Sequence, residues 1–181
     1  NFAPHLTTEV ITGSPKERQE LIESDRKADI IITSYPLIRR DIELYEQIQF
    51  HTVFIDEAQY IKNADSLNAK SVKLIKAQHK FALTGTPIEN SLSELWSIFD
   101  FIMPNYLFSH SKFVNIYEKP IMKEEEGKLV DLNRRITPFI LRRMKKDVLH
   151  ELPEKVEEKM LTDMVEEQKK IYVSFMENIK G

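Results

Sequence analysis

Across residues 1–104, short apolar runs alternate with amphipathic stretches, and this alternation restricts the possible folds more than any other feature. The runs lie at residues 10–11 with their flanks, 30–33, 53–55 and 81–83, and are rich in β-branched and aromatic types. Brief, nearly continuous apolar runs are the pattern of parallel strands covered on both faces. The spacers carry helix signals. Ser14-Pro15-Lys16-Glu17 offers a capping residue, a proline at the first helical position and a glutamate at the third, a full capping box. Leu37, Ile38, Ile42, Leu44, Tyr45 and Ile48 recur at helical spacing over 36–48, as do Leu67, Val72 and Ile75 over 65–77. Ser91 with Glu94 predicts a second capping box, followed by a stripe of Leu92, Leu95, Trp96, Phe99 and Ile102, with Pro104 after its end. Strands alternating with helices imply an α/β fold with a parallel sheet and right-handed crossovers.

The texture changes after Pro104. Helices are expected at 111–117 and 129–143, separated by the charged turn 123–128, then a break at Leu152-Pro153, a strand at 156–160 and a final helix over 165–179. A chain of 181 residues, 41% apolar and 30% charged, is long enough for one ordinary domain or slightly more. It has no cysteine, which removes disulfides, thiolate metal sites and cysteine nucleophiles and fits a reducing compartment, cytoplasmic, nucleoid or nuclear. A net charge of -3 argues against a uniformly basic coat and leaves room for a local basic strip. No apolar run approaches the roughly 18–20 residues that span a bilayer. The start, Asn-Phe-Ala-Pro, has neither an initiator Met nor a signal-peptide pattern, and the chain reads as a piece of something longer.

Four groups of residues could do chemistry. In Val53-Phe54-Ile55-Asp56-Glu57-Ala58-Gln59, an apolar strand ends in two adjacent carboxylates, aimed where ligands sit in open α/β sheets. Asp56 could hold Mg²⁺, largely through water, and Glu57 could orient and deprotonate an attacking water; the plainer alternative is an acidic start to a surface loop. Leu83-Thr84-Gly85-Thr86-Pro87 follows the next strand and opens toward Ser91; it could report the state of a phosphate site or be an ordinary turn. Residues 132–146 hold six basic side chains (Arg134, Arg135, Arg142, Arg143, Lys145, Lys146) and no acid: a phosphate-binding strip, a solvated helix face, or arginines that pair with acids or nucleotide on an apposed domain. Thr33-Ser34-Tyr35, before Pro36, could hold a nucleic-acid phosphate, or Ser34 could simply cap a helix. His5, His51, His79, His110 and His150 are scattered without ligand spacing, so no imidazole metal site is assigned.

Taken together, these motifs resemble the Swi/Snf family of ATP-driven DNA translocases of the second helicase superfamily. Asp56-Glu57-Ala58-Gln59 with Tyr60-Ile61-Lys62-Asn63 is similar to its Walker B segment, and residues 83–90 with Leu95-Trp96 to its third motif. Ile32-Thr33-Ser34-Tyr35 resembles an earlier DNA-contacting motif, Leu141-Arg142-Arg143 with Lys145, Asp147, Val148, Leu152, Pro153 and Lys155 the segment leaving the first motor lobe, and Leu161-Thr162 with Gln168 to Tyr172 the start of the second lobe. The resemblance implies a partial RecA-like parallel sheet with flanking helices over 1–104, a mainly helical extension over 105–160, and the beginning of a second lobe over 161–181. It implies Asp56 as Mg²⁺ ligand and Glu57 as the catalytic base, with Gln59 beside the nucleotide. Thr84, Gly85 and Thr86 would couple hydrolysis to DNA, with Thr33, Ser34, Arg142, Arg143 and Lys145 toward nucleic acid. Many relatives carry His where this chain has Gln59; Gln can still donate and accept across to the Thr84–Thr86 loop.

One element is missing. Phosphate binding in this class uses a Gly-rich loop ending in Gly-Lys-Ser or Gly-Lys-Thr, and none of Gly13, Gly85, Gly127 and Gly181 begins such a triplet. The parent protein is therefore expected to be a Mg²⁺-dependent, DNA-stimulated ATPase acting on double-stranded DNA and DNA-bound protein complexes. The 181 residues alone are expected to bind ATP weakly and to be inactive. Without the strand that precedes the phosphate loop, an apolar sheet edge beside residues 81–83 would invite self-association. Two other classes remain open on sequence: a non-catalytic nucleic-acid or protein-binding module with vestigial motor motifs, and a strand-separating helicase of the Asp-Glu-Ala-Asp class.

Overall fold

The computed structural model describes residues 3–24, 28–85, 91–143 and 164–179. They fall into two compact units, Asn1–Phe139 and Ile140–Gly181. In the first, β1 (Thr8–Val10) pairs in parallel with β2 (Ile30–Ile32), and β3 (Gln49–Ile55) in parallel with β4 (Lys76–Ala82). Each pair is joined through a helix, as parallel strands require: α1 (Pro15–Glu23) links β1 to β2, and α3 (Leu67–Leu74) links β3 to β4. Between the pairs runs α2 (Tyr35–Tyr45).

The expected capping box of α1 is complete. The Ser14 amide donates to Glu17 Oε2 at 2.7 Å and the Glu17 amide to Ser14 Oγ at 3.3 Å. On its inner face, Arg18 is 4% exposed and grips Asp41 of α2 with two bonds, Nε to Oδ2 at 2.6 Å and Nη2 to Oδ1 at 2.8 Å. Its remaining terminal nitrogen donates to the Gly13 carbonyl at 2.8 Å, so the charge enters the interior fully paired. The backbone of α2 kinks at Asp41 (φ -112°, ψ 20°), where the guanidinium holds it.

The apolar side chains form two clusters. One gathers Ile11, Ile22, Ile38, Tyr45, Ile55, Ile61, Val72 and their neighbours beneath the sheets; the other gathers Phe113, Tyr117, Leu132 and Ile136 from the later helices. Helix α4 (Leu92–Ile102) serves both, sending Ile98 and Phe101 into the first and Leu95, Trp96 and Phe99 into the second. It is buried around most of its circumference, which is why its apolar residues exceed one stripe. Its single buried hydroxyl, Ser97 Oγ, donates to the Ile61 carbonyl at 2.7 Å.

Several expectations change. The strands are not covered on both faces: Phe54 is 66% exposed and Phe81 50%, their rings stacked 4.9 Å apart, and Val10 and Ile32 are also open. Strands β3 and β4 begin earlier than the apolar runs, because Gln49, His51, Lys76 and Gln78 occupy exposed ladder positions that need no apolar residue. Ser91 stands at the start of α4 without a side-chain cap bond, and Glu94 pairs with Lys62 at 3.6 Å. The helix expected over 111–117 is α5 (His110–Phe113) continued by a π-helical turn, Val114–Glu118, into α6 (Lys119–Met122). Pro120 lacks the amide an α-helical turn would need there. The helix expected over 129–143 is α7 (Lys128–Ile136), ending in a 3₁₀ turn at Thr137–Phe139 because Pro138 cannot continue it. In the second unit, α8 (Glu166–Ile179) matches the expected final helix. The break at Leu152-Pro153 and the strand at 156–160 lie outside the described residues.

Phe101 is fully buried where α4 meets the sheet-side cluster. Phe101→Ala is expected to destabilise the chain by about 3–5 kcal/mol in urea unfolding, the usual cost of emptying an aromatic core site.

Candidate nucleotide and coupling site

Parallel pairing aligns the ends of β3 and β4, with Ile55 opposite Ala82. The ladder continues past the strands: the Leu83 amide donates to the Ile55 carbonyl at 2.9 Å and the Ala58 amide to the Leu83 carbonyl at 2.8 Å. These bonds hold the segment 56–59 against the segment 83–85. Asp56 and Glu57 leave the tip of β3 as exposed side chains, and a 3₁₀ turn, Ala58–Ile61, follows at once with Ala58 and Ile61 buried as its anchors.

Glu57 adopts a left-handed backbone (φ 49°, ψ 54°), uncommon for a residue with a Cβ. Its carboxylate accepts from Gln59 Nε2 at 2.6 Å, and Gln59 Oε1 accepts from Thr84 Oγ1 at 3.0 Å. Glu57, Gln59 and Thr84 thus form one hydrogen-bonded chain across the two strand ends, with the Gln59 amide donating at one end and accepting at the other. Gly85 is exposed beside Thr84. It lacks the left-handed φ that favours glycine, and among the described residues an added Cβ would meet nothing within 4 Å. Thr86 lies outside the described residues.

The segment 33–35 comes to the same loop. Tyr35, the first residue of α2, donates its hydroxyl to the Asp56 carbonyl at 2.8 Å, and its ring meets Tyr60 with centroids 5.5 Å apart. Ser34 precedes the helix with an exposed side chain that makes no cap bond. Thr33 Oγ1 is buried instead, lying against Tyr45 OH without either meeting full hydrogen-bond geometry. Arg142 and Arg143 are exposed in the second unit, and Lys145 lies outside the described residues.

Two exposed carboxylates at a strand tip suit a hard cation that keeps most of its water and takes further oxygens from a bound phosphate, as Mg²⁺ does. Among the described residues no group of three or more His, Cys, Asp or Glu could hold a metal ion. The sequence places Tyr35 in the candidate phosphate-contacting segment 33–35, with nothing to pair it with Asp56. Its aromatic ring and polar tip at a helix start were visible, but its partner lies 21 residues away and only the folded arrangement pairs them.

Acids at the tip of β3, linked through Gln59 to the Thr84 hydroxyl at the tip of β4, form a polar site at the carboxyl ends of two parallel strands, where α/β folds bind ligands. A model of the SNF2-related domain matches residues 1–180, and the chain belongs to that family. It is 38% identical over 192 residues to the TATA-binding protein-associated factor MOT1 of Saccharomyces cerevisiae, covering 99% of this chain and 10% of that protein. It is 44% identical over 171 residues to the ATP-dependent helicase MG018 of Mycoplasma genitalium, covering 94% of this chain and 16% of that one. Among solved structures, the Sulfolobus solfataricus SWI2/SNF2 ATPase core in complex with dsDNA superposes with a TM-score of 0.72 at 36% identity, over 97% of this chain and 37% of that core. The family and the partial RecA-like fold expected from sequence are therefore those found, and the chain spans only a minor part of each relative.

Burial of the Tyr35 phenol, together with the nearby Asp56 and Glu57 charges, pushes its pKa up to about 12. The neutral phenol is the form the fold favours, so its contribution to stability is complete below the ordinary value near 10 and is lost as pH rises from there through about 12. In a titration followed by tyrosinate absorbance, Tyr35→Phe should remove one phenol that ionises near pH 12.

Proposed function

We propose that the chain is part of an SNF2-type motor that couples ATP hydrolysis to movement on double-stranded DNA or remodelling of complexes bound to it. The observation that carries this reading is the Glu57–Gln59–Thr84 chain of hydrogen bonds across the ends of β3 and β4. The solved relative in complex with dsDNA supports the choice of polymer.

In this reading Glu57 is the general base. Its Oε2 accepts from Gln59, which fixes the carboxylate and leaves Oε1 to take a proton from water. Asp56 directs a carboxylate toward Mg²⁺. ATP with Mg²⁺ supplies the phosphoanhydride bond and neutralises its developing charge. Gln59 connects the base to Thr84, so a change in what Glu57 binds alters the loop of Thr84, Gly85 and Thr86 that leads into α4. Ser34 offers a hydroxyl, and Thr33, whose own hydroxyl is turned inward, offers backbone only to a DNA phosphate. Arg142, Arg143 and Lys145 supply positive charge to the same polymer. The phosphate-gripping loop is not among these residues, and the 181-residue chain by itself is read as a weak nucleotide binder without turnover.

The test has two arms. In a protein carrying this segment with its phosphate-binding loop, Glu57→Gln should reduce ATPase by at least about 100-fold while DNA affinity stays within about twofold. In calorimetry of the isolated 181 residues, Mg-ATP should bind no more tightly than the millimolar range, and micromolar binding would sink that part of the reading.

Self-association is the further expectation. Among the described residues β4 pairs only with β3, and the stacked Phe54 and Phe81 with Leu83 leave apolar surface open beside it. Dilute solution scattering should give a mass above that of one 21.3 kDa chain; a strict monomer at all concentrations would count against it.

A further inference from the structure

The peptide unit joining Asp56 to Glu57 is held at both of its polar atoms. Its carbonyl accepts from Tyr35 OH at 2.8 Å, and its amide donates to Asp56 Oδ1 at 2.8 Å. The orientation of this one plane helps to set φ of Glu57, which is 49°, in the left-handed region that L-residues avoid by about 1–2 kcal/mol. Rotating the plane would let Glu57 relax to an ordinary negative φ, but the rotation has to break both bonds. Residues held in sparsely populated backbone regions persist where their surroundings over-determine them, and such residues gather at functional sites.

The clamp is itself braced. Tyr35 sits at the first turn of α2, with Pro36 behind it, and its ring lies 5.5 Å from that of Tyr60 in the 3₁₀ turn just after Glu57. Tyr60 is held in turn by its amide, which donates to the Glu57 carbonyl at 3.0 Å. Asp56 Oδ1 also serves the clamp, so the carboxylate assigned to Mg²⁺ directs only its other oxygen outward free of this bond.

We infer that Tyr35 is a positioning residue: its hydroxyl, by fixing the Asp56–Glu57 peptide, aims the Glu57 carboxylate at Gln59 and toward the attacking water. The inference rests on the hydrolytic reading for its consequence in turnover, but not for its consequence in geometry. Tyr35 touches no reacting atom. It acts through the backbone of Glu57, and it makes the residue beside Ser34 a direct mechanical neighbour of the base.

The test separates the two levels. In NMR spectra of the 181-residue chain, Tyr35→Phe should move the Glu57 Cα and Cβ shifts from left-handed toward right-handed values and change the side-chain amide resonances of Gln59. Unchanged Glu57 shifts in a folded variant would overturn the inference. If the variant fails to fold, the unmodified chain decides: its Glu57 Cα and Cβ shifts should report the left-handed backbone and one Gln59 side-chain amide proton should be shifted by its bond to Glu57, and right-handed Glu57 shifts overturn the inference equally. In the protein that also carries the phosphate-binding loop, Tyr35→Phe should lower kcat about tenfold with KM for ATP within about twofold, the effect of losing one hydrogen bond made to the catalytic geometry. An unchanged kcat overturns the positioning role. No hydrolysis by the unsubstituted protein would instead sink the proposed function, while the Glu57 shifts would still decide whether Tyr35 sets its backbone.

Discussion

The parallel ladder between β3 and β4 is the constraint on which the rest of the site depends. Its register puts Ile55 opposite Ala82, and the two backbone bonds beyond the strands, Leu83 to Ile55 and Ala58 to Leu83, carry that alignment into the loops. A one-residue slip would turn every side chain of one strand to the other face and move the Glu57 segment along the Thr84 segment. The register is specified by what it buries: Ile55, Ala58, Ile61 and Ile75 all enter the same cluster. The placement of polar groups at the strand tips is therefore a consequence of hydrophobic packing several residues away.

Helix α4 extends that dependence. It follows the Thr84 loop in sequence, and Ser97 Oγ fastens it to the Ile61 carbonyl, the last residue of the 3₁₀ turn that begins after Glu57. The Lys62–Glu94 ion pair lies at the same junction. Because α4 also supplies Leu95, Trp96 and Phe99 to the later helices, a shift at the strand tips has a packed route into them. Trp96 reinforces this contact by donating to the Phe108 carbonyl at 3.1 Å while its ring lies near His110. Packed elements of this kind move between discrete arrangements more readily than they deform continuously.

Much of this was legible in the sequence wherever the cause is local. Strand ends were visible because apolar runs stop at Asp56 and near Thr84, and the Ser14–Glu17 box formed because both of its bonds lie within four residues. Strand beginnings were not, since Lys76 and Gln78 stand on an open face where the apolar signal vanishes without the strand ending. The Ser91–Glu94 box had the right spacing, yet the Ser91 side chain makes no cap bond and Glu94 also pairs with Lys62, a partner far away in sequence. The site divides in the same way. Acids and hydroxyls could be placed at strand ends from pattern alone, whereas the Tyr35–Asp56 bond and the inward turn of Thr33 are products of tertiary packing.

Gln59 joins the two strand tips with a side chain of fixed hydrogen-bonding chemistry. An imidazole bridging Glu57 and Thr84 could gain or lose a proton near neutral pH, and its bonding would then vary with protonation. The carboxamide here does not titrate. With its nitrogen on Glu57 and its oxygen accepting from Thr84, it presents a donor to the carboxylate and an acceptor to the hydroxyl. Reversing the amide would set its oxygen against the Glu57 carboxylate and its NH₂ against the Thr84 hydroxyl, so the hydrogen-bonding partners at the two ends select the orientation. The polarity of the link between the two strand tips is thereby set by the Glu57 carboxylate, which can only accept where a reversed amide would also have to accept.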